Sequence, residues 1–100
     1  FRVLLLDIKN KIIKEELISQ GSLTSSVVHP REVLDPAIRG SAASVIFLHN
    51  HPSGDPEPSM DDIEITQRLC KSFDIVGINV LDHIIVGYAG YFSFKQKQMI

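Results

Sequence analysis

The chain has 100 residues, a formal net charge of −2, 44% hydrophobic and 22% charged residues, and one cysteine. A chain of this length makes one domain able to bury about 60–70% of its unfolded surface, so it needs neither disulfide nor structural metal to fold. The ten basic residues are scattered and form no basic footprint for nucleic acid, no apolar run approaches the ~20 residues of a membrane span, and Cys70 alone makes no disulfide framework.

The predicted elements begin with an apolar strand over Phe1–Ile8, a turn at Asp7–Lys11 centred on Lys9-Asn10, and a second strand over Ile12–Ile18 that closes a hairpin. After Gly21-Ser22, Leu23–Val28 is expected to continue as strand. Pro30–Arg39 reads as helix, with proline at the start and Gly40 beyond the end. Pro36 removes a backbone donor there, so a kink or two short turns are expected. Ala42–His49 is apolar on both faces, as in a central strand. Ser59–Phe73 is an amphipathic helix with Ile65 and Leu69 on one face and Glu64, Arg68 and Lys71 on the other. Ile78–Val86 and Tyr91–Phe94 complete an α/β pattern, a mixed sheet covered by helices. Cys70, on a helix with no histidine beside it, reads as a small packing residue.

The chemistry concentrates in the run from His49 to Asp62. Residues two apart on a strand face one side, so His49 and His51 can point at one ion while Asn50 points away. Pro52 stops the sheet, which leaves both imidazoles at the C-terminal end of a strand, where α/β folds commonly place sites. Asp62 heads the inward stripe of the following helix, through Ile65 or Thr66 to Leu69, and an inward carboxylate needs a partner. Two histidines and a carboxylate are a common zinc ligand set that leaves a position open for water. Other readings stand beside this one. Ser59-Met60-Asp61-Asp62 has capping-box spacing, taken alone the commoner reading of both Ser59 and Asp62. A lone strand-end histidine is more often a satisfied polar residue than a ligand. Asp61 is a rival ligand expected on the solvent face. Ser53, Asp55 and Glu57 read as loop residues stiffened by Pro56 and Pro58.

The spacing His49-x-His51, seven residues, Ser59, two residues, Asp62 resembles the JAMM (MPN+) metalloprotease motif in full. His29-Pro30-Arg31-Glu32, His49 through Ser59, Leu81-Asp82-His83 and Phe92-Ser93-Phe94 resemble the bacterial RadC family, over essentially the whole chain. The resemblance implies a cytidine-deaminase-like, three-layer α/β fold and residues 1–100 as one RadC-type JAMM domain, the C-terminal part of a longer cytoplasmic protein. It implies Zn2+ held by His49, His51 and Asp62, with Ser59 stabilising the oxyanion of a tetrahedral intermediate. It places the general-base glutamate just before the position of Phe1, so the chain as it stands is expected to lack that residue. Glu15 and Glu16 are weighed as substitutes and read instead as a solvated face beside Lys14. Relatives in the family also carry an N-terminal helical segment. His29, Arg31 and His83 match family positions and read equally well as site-supporting or as ordinary polar residues.

The expected function is zinc-dependent hydrolysis of an amide bond in a peptide or protein. The alternative is a non-catalytic module, partner-binding or associated with DNA repair, that keeps the metal site. A nuclease, prompted by the letters His-Asn-His, is disfavoured because HNH nucleases do not place these residues consecutively. The acidic balance and the lack of aromatic-basic interleaving also count against nucleic acid as a partner.

Overall fold

The computed structural model describes residues 1–21 and 28–100. Its elements are β1 (Arg2–Leu6), β2 (Ile12–Leu17), α1 (Pro30–Arg39), β3 (Ser44–Asn50), α2 (Met60–Ile75), β4 (Asn79–Val86) and β5 (Tyr91–Ser93). The five strands form one sheet in the order β2-β1-β3-β4-β5. Only the β3–β4 pair is parallel, and α2 is the crossover between them. The other neighbours are antiparallel.

The β1–β2 turn forms where Lys9-Asn10 predicted it. Asp7 Oδ1 accepts from the backbone N–H of both Lys9 and Lys11, at 2.9 Å each, and Asn10 takes the left-handed conformation that asparagine tolerates. Glu15 and Glu16 lie on β2 in ion pairs with Arg2 and Lys14, the solvated face expected of them. Of the strand expected over Leu23–Val28, residues 23–27 lie outside the described residues, and Val28 is buried but not in a strand.

Two short turns around Pro36 are not what forms: Pro30–Arg39 is one α-helix with Pro36 inside it. The N–H that Pro36 lacks would have served the carbonyl of Glu32, an exposed residue. Val33 and Ala37, both buried, hold the two halves of the helix to the core and override the proline.

The core explains why the site faces where it does. Along β3, Val45, Phe47 and His49 are buried, while Ile46 and Leu48 are only partly so. Val45 and Phe47 pack with Val3 and Leu5 of β1, Val33 and Ala37 of α1, and Ile65, Leu69 and Phe73 of α2. Both helices therefore cover the same sheet face among the described residues, so the expected α/β fold forms with one sheet layer and one helix layer there rather than three layers. A smaller cluster of Ile85, Phe92 and Phe94 packs with Ile63 and Ile100 beside the start of α2. His49 continues the buried face of β3 to its end, and Asp62 begins the buried face of α2. The two meet where the core opens. No helix of the described residues is long and apolar enough to cross a membrane.

Candidate metal centre

Strand alternation delivers His49 on the helix-facing side of β3, and His51 follows one residue past the strand end. The His51 N–H still donates to Val86 O of β4, at 3.1 Å, so the ladder holds the second histidine in place. The two imidazoles meet edge to face, 4.9 Å between centroids. From the opposite layer, the first turn of α2 presents Asp62, 1% exposed. One atom from each of His49, His51 and Asp62 lies within 4.8 Å of the other two.

Hydrogen bonds decide what this cluster can hold. The Nδ1 of His51 lies 2.8 Å from the carbonyl of Asp55, which can only accept, so Nδ1 carries the proton. In the neutral ring Nε2 is then a bare lone pair, and it faces Asp62 Oδ2 at 2.9 Å. Two acceptors at that distance repel unless a proton or a metal cation lies between them. The Nδ1 of His49 and the Oδ1 of Asp62 face each other at 3.6 Å, and both are buried with no hydrogen-bond partner among the described residues. Buried polar atoms are rarely left unpaired, since each costs about 1–3 kcal/mol. A tetrahedral ion with bonds of about 2.0–2.1 Å puts its ligand atoms roughly 3.4 Å apart, a value between the two separations found here. The donor set therefore fits a divalent cation, and the Asp55 carbonyl fixes the His51 tautomer that leaves Nε2 able to ligate one. Burial lowers the pKa of His49; Asp62 opposes that shift and His51 adds to it. The ring is thus kept neutral, the form that ligates.

The Ser59 capping box and the ligand role of Asp62 are compatible rather than rival. Ser59 Oγ accepts from Asp62 N at 3.0 Å, and Asp62 Oδ2 accepts from Ser59 N at 2.8 Å. The cap leaves Asp62 Oδ1 free, and it leaves the Ser59 hydroxyl proton uncommitted on an exposed residue at the mouth of the cluster. Asp61 is exposed, as expected of it. Ser53, Asp55 and Glu57 form a turn of their own: Asp55 N donates to Ser53 Oγ, and Glu57 N to Asp55 Oδ1.

One feature escaped sequence reasoning, and a second was left open by it. The first is a clamp on the loop between His51 and Ser59. Tyr88 N donates to Gly54 O at 3.0 Å, and Gly54, at φ +90°, lies under the Tyr88 ring. A Cβ on Gly87 would stand 2.2 Å from Gly54 O, so the loop approaches the β4–β5 turn as only glycine allows. The second is His83, fully buried in β4. Its Nδ1 is 2.6 Å from Thr66 Oγ1, which lies four residues after Asp62 on α2. Burial pushes the pKa of His83 down to about 3, so the ring is neutral. Its position on the core-facing alternation with Ile85 was the available signal.

His29 does not join the cluster. It caps α1, with Nδ1 accepting from Arg31 N at 3.2 Å, and both side chains are at the surface. Cys70 is half-buried and its thiol is pushed up by burial, which fits a packing role.

The family described as RadC-like JAB domain matches residues 1–99. A UPF0758 protein of Trichlorobacter lovleyi is 58% identical over 100 residues, which cover all of this chain and 44% of the relative. A UPF0758 protein of Geobacter sulfurreducens is 60% identical over the same full span, again 44% of its length. One from Caldanaerobacter subterraneus subsp. tengcongensis is 56% identical over 97 residues, or 97% of this chain and 42% of the relative. The chain thus spans less than half the length of the curated relatives it matches.

Proposed function

The chain belongs to the RadC-like JAB domain family, and from that premise we propose that it is the zinc-binding, hydrolytic part of a metallopeptidase-type enzyme acting on an amide bond in a peptide or protein. The observation that carries the reading is the pairing at His51. A backbone carbonyl fixes its Nδ1–H, and its Nε2 lone pair is turned onto a buried carboxylate 2.9 Å away.

In this reading His49 Nδ1, His51 Nε2 and Asp62 hold the ion. Zinc, when bound, supplies a Lewis acid that polarises a carbonyl and acidifies water. Three protein ligands leave a position open, as in catalytic rather than structural sites. Ser59 accepts from Asp62 N through its oxygen, which leaves its O–H to donate where negative charge develops on a substrate oxygen. The buried walls of His49 and Asp62 exclude water from one side of the ion and strengthen each of these interactions. The resemblance puts the general base before Phe1. Glu15 and Glu16, paired on the surface of β2, are not assigned that role.

The test is metal content by inductively coupled plasma mass spectrometry on the full-length wild type and His49→Ala proteins, followed by hydrolysis of a peptide and isopeptide panel. Near-stoichiometric zinc in the wild type and its loss in the variant are expected. Equal zinc in both rejects the site. A zinc-loaded full-length protein that cleaves nothing on the panel turns the reading to a binding module.

A further inference from the structure

We propose that His83 is a positioning residue for Asp62, acting through Thr66; the inference rests on the metal-site reading above. Thr66 Oγ1 lies 2.6 Å from the backbone carbonyl of Asp62 and 2.6 Å from His83 Nδ1. A carbonyl oxygen can only accept, so the single hydroxyl proton of Thr66 goes to Asp62 O. The hydroxyl oxygen must then accept from His83, which makes Nδ1–H the donor. The opposite assignment sets two acceptor oxygens against each other at 2.6 Å. The proton order is therefore His83 Nδ1–H to Thr66 Oγ1–H to Asp62 C=O, running from β4 to the first turn of α2.

The ring that starts this chain is itself held fast. It stacks on Phe94 at 4.7 Å with 5° between planes, and Phe1 and Phe47 meet it edge-on at 5.7 and 6.0 Å. The imidazole can neither turn nor slide without breaking that packing. His49 and His83 belong to adjacent paired strands, with Phe47 opposite His83 and His49 opposite Ile85. The sheet that carries two ligands thus also carries the donor that sets the third. Without this link, Asp62 would be placed by its cap and by helix packing alone. Partners bonded to a ligating group itself cost about 10–100-fold in metal affinity when lost; here the link holds the backbone carbonyl of Asp62 and so sets the stretch of helix from which the carboxylate projects.

The test uses Co2+ and Zn2+ binding by the full chain, read by competition titration and by the Co2+ visible spectrum. Each variant is first shown to be folded by thermal unfolding in chelator. His83→Asn puts an amide N–H at the Nδ1 position, and His83→Gln puts its amide at the Nε2 position. The expected result is affinity within about threefold of wild type for His83→Asn and Thr66→Ser, with a loss of about 10-fold or more for His83→Gln and Thr66→Val. The Co2+ bands should shift in the latter pair only. Should His83→Asn fail to fold, the Thr66→Ser and Thr66→Val pair carries the test alone. Wild-type affinity and spectrum in folded Thr66→Val overturn the proposal. So does rescue by glutamine rather than asparagine, which would make Nε2 the working atom. A wild-type protein that binds neither ion overturns the metal-site reading itself, a different outcome from wild-type binding with indifferent variants.

Discussion

Replacing Asp62 with asparagine should separate what the carboxylate does for the fold from what it does for the ion. In the metal-free chain, Asp62 Oδ1 is a buried acceptor with no partner among the described residues, opposite His49 Nδ1 at 3.6 Å. Its Oδ2 meets the Nε2 lone pair of His51 at 2.9 Å. An unpaired buried acceptor costs about 1–3 kcal/mol, and more when charged. Asparagine keeps an oxygen for the Ser59 N–H, so the cap survives; that oxygen still faces His51 Nε2, while the uncharged amide nitrogen takes the Oδ1 place opposite His49 Nδ1. In chelator at about pH 8, above the ordinary histidine pKa of ~6.5, Asp62→Asn should be more stable than wild type by about 1 kcal/mol. For a domain of this size that is roughly 4–8 °C in Tm. Zinc at about 100 times its Kd should then stabilise the wild type by about 2.7 kcal/mol and leave the variant unchanged, so the order of the two melting curves reverses. Calorimetry with and without zinc measures both limbs. A variant less stable than wild type by about 1 kcal/mol or more in chelator would refute the reasoning, because the carboxylate would then be a stabilising ion-pair partner rather than a group held in readiness for a cation.

Three further outcomes follow from the same geometry. His83 titrates near 3 in the fold against an ordinary 6.5, so between those values the unfolded chain binds the extra proton. Stability present above about pH 6.5 is therefore lost as pH falls toward 3, by up to about 1.4 kcal/mol per pH unit. Urea midpoints at several pH values should fall less steeply for His83→Asn, and parallel curves would show that the native ring protonates freely. Gly87→Ala pushes a methyl into Gly54 O and Pro56 Cδ, at 2.2 and 2.9 Å, and should destabilise the chain by about 1–3 kcal/mol while weakening zinc binding through the loop that carries Asp55. Unchanged affinity by titration would free that loop from the site. Ser59→Ala should cost about 1 kcal/mol of stability through the lost cap, keep its zinc, and lower kcat about 100–1000-fold; a normal kcat would make Ser59 a cap and nothing more.

The local rules carried much of this fold. Period-two and helical patterns located every described strand and helix to within a few residues, because burial on one face is written into composition residue by residue. The two short turns offered as one outcome at Pro36 do not form, because propensity is local whereas the burial of Val33 and Ala37 that keeps α1 whole is tertiary. Ser59 and Asp62 carry two readings in one spacing; the structure shows the cap, and Asp62 Oδ1 opposite His49 is left free for the second.

By itself, then, the sequence determined the types of the candidate ligands, their spacing, and the faces they occupy, since strand alternation and helix periodicity depend only on neighbours along the chain. Tertiary structure alone decided the rest. It chose the Asp55 carbonyl as the partner that sets the His51 tautomer, joined Thr66 to His83 across 17 residues, and brought Gly54 beneath Tyr88. Those contacts join residues on different elements. Their distances follow from how the sheet and α2 pack, not from any interval along the chain.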